Sequence, residues 1–188
     1  MALSLKNGTF DNLKRIKYTP ASRTTLPTGV SATALVGGSE QITLTFVNTS
    51  VPLTDAGASG AGGGIRIYGF QQGNVKIDNL RVNLTTARLG TNLTTTAALV
   101  ASLGTVAAAA DATLTSTEAD IASSTTATLT AGAGTFTKIA TAPVYLDGTG
   151  TAKDVYLNFA VPDAGSAGND SVVVNGTITL IYSNTAVV

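Results

Sequence analysis

The chain has 188 residues and a mass of 18.8 kDa, enough for one domain, or one domain with an arm. It is 44% hydrophobic but only 12% charged, its formal net charge is +0, and it contains no Cys, no His and no Trp. These absences exclude a disulfide framework, thiolate metal sites, cysteine nucleophiles and any Ser-His-Asp triad within the chain, and they remove the commonest general base. A structural or binding protein is expected rather than an enzyme, with no cofactor.

Thr (32 copies), Ala (28) and Gly (20) dominate the composition. Threonine suits a pleated, half-exposed surface, because its branched Cβ packs there and its hydroxyl tolerates water. With mean hydropathy of +0.29 and no net charge, the chain reads as a β-sandwich, since disorder goes with high net charge and low hydrophobicity. No apolar run precedes Lys6 and no stretch of about 18 apolar residues occurs, so neither an export signal nor a membrane partner is expected. The six N-x-S/T triplets are read as the by-product of a Thr-rich chain.

Charge is unevenly placed along the chain. Residues 1–23 hold Lys6, Lys14, Arg15, Lys17 and Arg23 against Asp11, or 5 − 1 = +4, and the other 165 residues hold 6 basic and 10 acidic side chains, or −4. A basic end on an acidic body reads as an interaction arm. Leu5, Phe10, Leu13 and Ile16 beside Lys14, Arg15 and Lys17 are the candidate binding residues: charge to steer encounter, apolar side chains to hold the bound state. Five cations and Tyr18 give only weak, salt-sensitive affinity for nucleic acid, so no specific nucleic-acid site is expected, and an acidic protein surface is at least as good a partner. Residues 1–38 are read as arm and linker, with Pro20, Pro27 and Gly29 punctuating Arg23–Gly38; residues 39–188 are read as the folded domain.

From Glu40 onward, strands follow one another. Gln41–Val47 alternates, with Ile42, Leu44 and Phe46 inward; Asn48–Gly64 is read as a loop; Ile65–Phe70 is a strand with Ile65 and Ile67 on one face; Gln71–Asn74 is a turn. In Val75–Leu84 the phase slips: Val75 and Ile77 share one face, then Leu80, Val82 and Leu84 share one. A bulge near Asp78-Asn79 would return both sets to the core. Ala97–Ala110 has helical propensity in its four consecutive Ala, but Leu99, Ala101 and Leu103 also alternate, and a strand over 98–106 is the preferred reading. Thr115-Ser-Thr-Glu118 is a capping box, which predicts a helical turn at about 116–121. Thr126–Thr130 and Thr135–Thr141 read as a hairpin around Ala131–Gly134, and Val144–Leu146 as a short strand ending at Asp147–Gly150. Asp154–Val161 puts Val155, Leu157, Phe159 and Val161 inward; Pro162–Asp170 is a loop; Ser171–Tyr182 puts Val172, Val174, Ile178, Leu180 and Tyr182 inward and Asn175, Thr177 and Thr179 outward. Eight to ten strands with short turns and no long helix are the pattern of an all-β, antiparallel sandwich or jelly roll.

The motifs carry little chemistry. Gly60–Gly64 is followed by a strand and not by Lys-Ser/Thr and a helix, so it is a flexible loop and not a phosphate cradle. Asp147, Asp154, Asp163 and Asp170 lack calcium-loop spacing and read as turn formers. Glu118 and Asp120 are close in sequence, but a chain without Trp is poorly supplied with the aromatic platforms of a sugar cleft, and capping accounts better for Glu118.

Three stretches, Leu103–Ile121, Val144–Phe159 and Val172–Tyr182, resemble the jelly-roll virion proteins of tailed bacteriophages, among them head decoration or cement proteins. The resemblance covers residues 98–184. It implies a jelly-roll sandwich, here with an extended N-terminal arm, and an assembly role on the capsid exterior with the major capsid protein as partner. It also implies a homotrimer, and it supplies no catalytic residue. A receptor-binding domain of a tail or fibre is the alternative, favoured if aromatics stood in the loops 48–64 and 162–170, which hold none.

Overall fold

Period-two patterning becomes an almost wholly antiparallel β structure. The computed structural model describes residues 16–18, 24–37, 39–94, 99–127, 134–140, 142–162 and 166–186. Eleven strands are present among them: β1 (Ile16–Tyr18), β2 (Val30–Gly37), β3 (Ser39–Asp55), β4 (Ala61–Gly69), β5 (Gly73–Arg88), β6 (Val100–Gly104), β7 (Ala122–Thr126), β8 (Gly134–Ala140), β9 (Val144–Gly148), β10 (Asp154–Val161) and β11 (Asp170–Ala186). The described helical segments are two 3₁₀ turns, Gly57–Ser59 and Ser116–Glu118. The second forms at the expected capping box: the Glu118 carboxylate accepts the Thr115 N–H at 3.0 Å, and the Glu118 N–H bonds back to Thr115.

Strand pairing runs β7-β6-β10-β4-β3-β11-β5-β8, with β2 on the free side of β3, β1 on β2, and β9 further along the β5 edge. This path folds into two layers. The first sheet is β1-β2-β3-β11-β5 with β8 and β9; the second is β4-β10-β6-β7. They are continuous only where the end of β3 meets β4, Thr54 opposite Gly62 and Asp55 opposite Ala61. One apolar core lies between them. Phe136 of the first sheet meets Phe159 of the second edge to face at 6.3 Å, and at the other end Tyr68, Phe70 and Tyr182 pack edge to face at 4.9–6.4 Å.

Every inward residue expected in Gln41–Val47, Asp154–Val161 and Ser171–Tyr182 is buried. The bulge expected in β5 is also present. Ile181 lies opposite Asn79 and Tyr182 opposite Ile77, which leaves Asp78 as the extra residue, and Val75, Ile77, Leu80, Val82 and Leu84 all reach the core. Residues 99–104 are extended, with Leu99, Ala101 and Leu103 buried, as preferred over the helix.

Four readings are corrected. Val30–Gly37, within the expected linker, is β2, which pairs with β3 residue by residue from Val30 opposite Phe46 to Gly37 opposite Ser39. The expected loop from Asn48 shrinks to Ala56–Gly60, because β3 continues through a bulge. There Asn48 takes a positive φ of 49°, and the inward set changes from Ile42, Leu44 and Phe46 to Thr49, Val51 and Leu53. Asn is one of the few residues that tolerates this backbone. Gly62, Gly63 and Gly64 belong to strand β4 and not to a flexible loop. The expected hairpin does not form among the described residues: β7 pairs with β6 in the second sheet and β8 with β5 in the first. Residues 128–133 lie outside the described residues.

Candidate functional site

The residues singled out in the arm are only partly described. Ile16 and Lys17 lie in β1, opposite Val36 and Leu35 of β2. Leu5, Phe10, Leu13, Lys14 and Arg15 lie outside the described residues. The arm is therefore tied to the first sheet at its β2 edge by three residue pairs. Pro20 follows two residues later and cannot donate to a continuing ladder.

The carboxylates considered for chemistry hold backbone instead. Glu118 accepts the N–H groups of Ala109 at 2.8 Å and Thr115 at 3.0 Å; Asp120 accepts the Thr105 N–H at 2.8 Å and its hydroxyl at 2.7 Å. Asp147 accepts the N–H and hydroxyl of Thr149, which lower its pKa below the usual carboxylate value. Asp154 faces Arg66 at 3.5 Å. At Asp170, partial burial works to raise the pKa, but N–H groups of Ser171, Leu93, Gly90 and Asn92 outweigh it, and the carboxyl ends below its ordinary range. Among the described residues, no three Asp, Glu, His or Cys side chains converge as a metal site.

One phenol is strongly perturbed. Burial, then its hydrogen bond to Glu40, pushes the Tyr182 hydroxyl well above its ordinary pKa; its oxygen lies 3.3 Å from that of Tyr68. This buried phenol packs against Tyr68 and Phe70 at one end of the sandwich.

What distinguishes the surface is the contrast between its two broad faces. A block of outward positions on the second sheet is small: Gly62 and Gly64 on β4, Asn158 and Ala160 on β10, Ser102 and Gly104 on β6, with Gly64, Asn158 and Ser102 in one row, while Val100, Tyr156 and Arg66 continue the same side around it. Asn158, Ala160 and Ser102 are nonetheless fully buried, because residues 105–118 run over them. Asn158 accepts the Ala108 N–H at 3.0 Å and donates to the carbonyls of Val106 and Glu118 at 2.9 and 2.8 Å. The fit requires glycine. A Cβ on Gly62 would stand 2.1 Å from the Ala109 carbonyl oxygen, and one on Gly104 would stand 2.3 Å from that of Thr117.

The first sheet has no such cover among the described residues. Its outward side shows Thr-rich rows across five strands: the uncharged Ser31, Thr45, Thr177, Asn83 and Thr137 in one, and Thr33, Thr43, Thr179, Arg81 and Ile139, with a single cation, in the next. Of the five exposed large apolar side chains among the described residues, four (Val47, Leu89, Ile139 and Tyr145) stand on this side, with Ile139 at 65% and Tyr145 at 72% exposure; the fifth, Val106, lies on the cover of the other sheet. Charge is sparse and balanced. Over β2, β3, β11, β5, β8 and β9, Lys76 pairs with Asp78 at 2.6 Å, and Arg81 and Asp147 complete the set, 2 − 2 = 0; Lys17 of β1 sits beyond them at the edge, opposite Leu35. This face was missed as a site in the sequence, although outward Thr alternating with inward aliphatics over residues 31–46 and 171–182 is its signal. No helix among the described residues is long and apolar enough to cross a membrane. Compared with known proteins, the chain matches no family model, no curated protein and no solved structure.

Proposed function

We propose that this chain is a virion structural protein of a tailed bacteriophage, a decoration or cement protein that binds the outside of the head and stabilises contacts between major capsid subunits. The observation that carries the reading is the strand order. β3, β11, β5 and β8 make one four-stranded layer, and β4, β10, β6 and β7 make the other. Consecutive strands cross between layers at β3 to β4, β4 to β5, β5 to β6, β7 to β8, β9 to β10 and β10 to β11, a winding that supports the jelly-roll reading. It agrees with the resemblance of residues 98–184 to jelly-roll virion proteins. β1 and β2 then extend the first layer and carry the basic arm to its edge.

The proposed mechanism involves no bond chemistry. A protein that binds across capsomer seams stabilises the joined state by mass action. Self-association, as the homotrimer the resemblance implies, multiplies weak contacts. The arm supplies the capsid contact: Lys14, Arg15 and Lys17 orient encounter with an acidic surface, and Leu5, Phe10, Leu13 and Ile16 hold it. The test is to mix undecorated heads with the full chain and with its Lys14→Gln/Arg15→Gln/Lys17→Gln variant, and to image the particles. The wild type is expected on the head exterior. The variant is expected to bind several-fold more weakly at low salt, with the gap closing near 1 M salt, where the Debye length is about 3 Å. Binding to tails only, or to neither, overturns the proposal.

A further inference from the structure

We infer that the open outward face of the first sheet is buried against a second copy of this chain. The inference deepens the assembly reading above by assigning its self-association to a surface. Three observations point to a copy as occupant. The first is area. Five strands about 4.8 Å apart, each contributing about ten residues at about 3.3 Å, span about 24 by 33 Å, or about 800 Å². That matches the ~800 Å² each partner gives to a standard-size stable interface.

The second is charge. A face that meets its own copy must not repel itself, and this one holds one internal ion pair, one cation and one anion over strands β2, β3, β11, β5, β8 and β9. A partner of opposite charge would instead be matched by a patch of one sign, and none is built here. The third is chemistry. Charged residues are depleted and aromatic residues enriched at interface cores, and four of the five exposed large apolar side chains among the described residues stand on this side. The half-exposed hydroxyls of Thr43 and Thr179, 3.3 Å apart, both donate and accept, so two identical rows can bond to each other. The other broad face lacks this option, since residues 105–118 already occupy it.

The experiment is sedimentation equilibrium of the full chain and three variants. Thr177→Arg places a charge in the middle row; Ile139→Arg places one at a position already 65% exposed, where it cannot impair folding; Val106→Arg is the control on the covered face. The wild type is expected to associate at micromolar concentration. Thr177→Arg and Ile139→Arg are expected to weaken association at least about 30-fold, while Val106→Arg leaves it unchanged. Wild-type monomer at about 100 µM overturns the inference, and so does an oligomer that tolerates both arginines on the open face. Neither result touches head binding, which the particle images decide separately.

Discussion

The two sheets differ most on the sides turned away from the core. On the second sheet, Gly62, Gly64, Ser102, Gly104 and Ala160 leave a shallow floor, and the chain lays residues 105–118 onto it, fastened by Asn158 and Glu118. On the first sheet, Thr33, Thr43, Thr45, Thr177 and Thr179 keep a Cβ branch and a hydroxyl across the middle of the outward side, and no described segment lies over them. The floor on the second sheet is uncharged, and the outward charges of β5 and β9 on the first, Lys76, Asp78, Arg81 and Asp147, balance in sign, so net charge does not separate the two; side-chain volume and the presence of one buried amide do. The comparison teaches how a charge-poor sandwich settles which side stays available. Small residues admit the chain's own backbone, whereas a Thr lattice holds it off and remains for a partner.

Removing the fastener is the largest break in that comparison. Asn158→Ala leaves the Ala108 N–H and the Val106 carbonyl without their partner, while the Glu118 carbonyl keeps the Ser102 hydroxyl at 2.6 Å. A buried polar group left unpaired costs ~1–3 kcal/mol; Ala108 is half-buried and Val106 exposed, so both groups regain some water and a loss of about 2–3 kcal/mol is expected in urea unfolding. The Ala108 amide should also exchange with solvent much faster than in the wild type. Unchanged stability would mean that the segment rests on the second sheet without being held by it.

How far these faces were legible follows from the range of the interactions that make them. The Asp78 bulge could be read because two alternating sets in one strand are out of phase. The bulge at Asn48 carries the same signal, Ile42-Leu44-Phe46 against Val51-Leu53, but Pro52 and the glycines beyond gave it the look of a loop. Gly62 and Gly64 could not be read as strand, since their reason is a carbonyl from residue 109 and an amide from residue 158. Ala131-Gly-Ala-Gly134 between two Thr-rich runs suggests a local turn, but β7 pairs with β6 and β8 with β5, in different sheets. Of the site, charge and apolar content marked the arm. The open face needs the strand order before its rows of Thr line up.

A second test asks whether side chains that accept backbone N–H groups fasten other segments as they fasten the cover. Asp170 holds the turn after β5 to the start of β11 through Gly90 at 2.7 Å, Asn92 at 3.0 Å and Leu93 at 3.1 Å. Because its folded pKa is depressed, the stability it adds is present above the ordinary unfolded value near 3.9 and is lost as pH falls through the folded one. Asp170→Asn is therefore expected to cost about 1–2 kcal/mol at about pH 6, a figure reduced for partial exposure. The gap to wild type should narrow below about pH 4. A constant gap across that range in urea midpoints would assign the cost to lost packing and not to the carboxylate.

The smallest expected effect is the sharpest discriminator between the faces. Thr179→Val keeps the branched shape at the centre of the open face and removes one hydroxyl of the Thr43–Thr179 pair. Both residues are half-exposed, so the Thr43 hydroxyl regains water as partner in the isolated chain, and β-branched Val suits the strand as well as Thr does. The isolated chain should lose less than about 0.5 kcal/mol, within the ordinary range for surface changes. When the face is buried against a copy, water is excluded and the same change strands a hydroxyl on each side. The loss then shows in association and not in the stability of the monomer. Thermal unfolding at low concentration, paired with sedimentation at high concentration, separates the two: an unchanged monomer with weakened association is expected. A variant that is destabilised on its own would show that Thr179 is already part of a closed structure, and the distinction between an open and a covered face would not hold there.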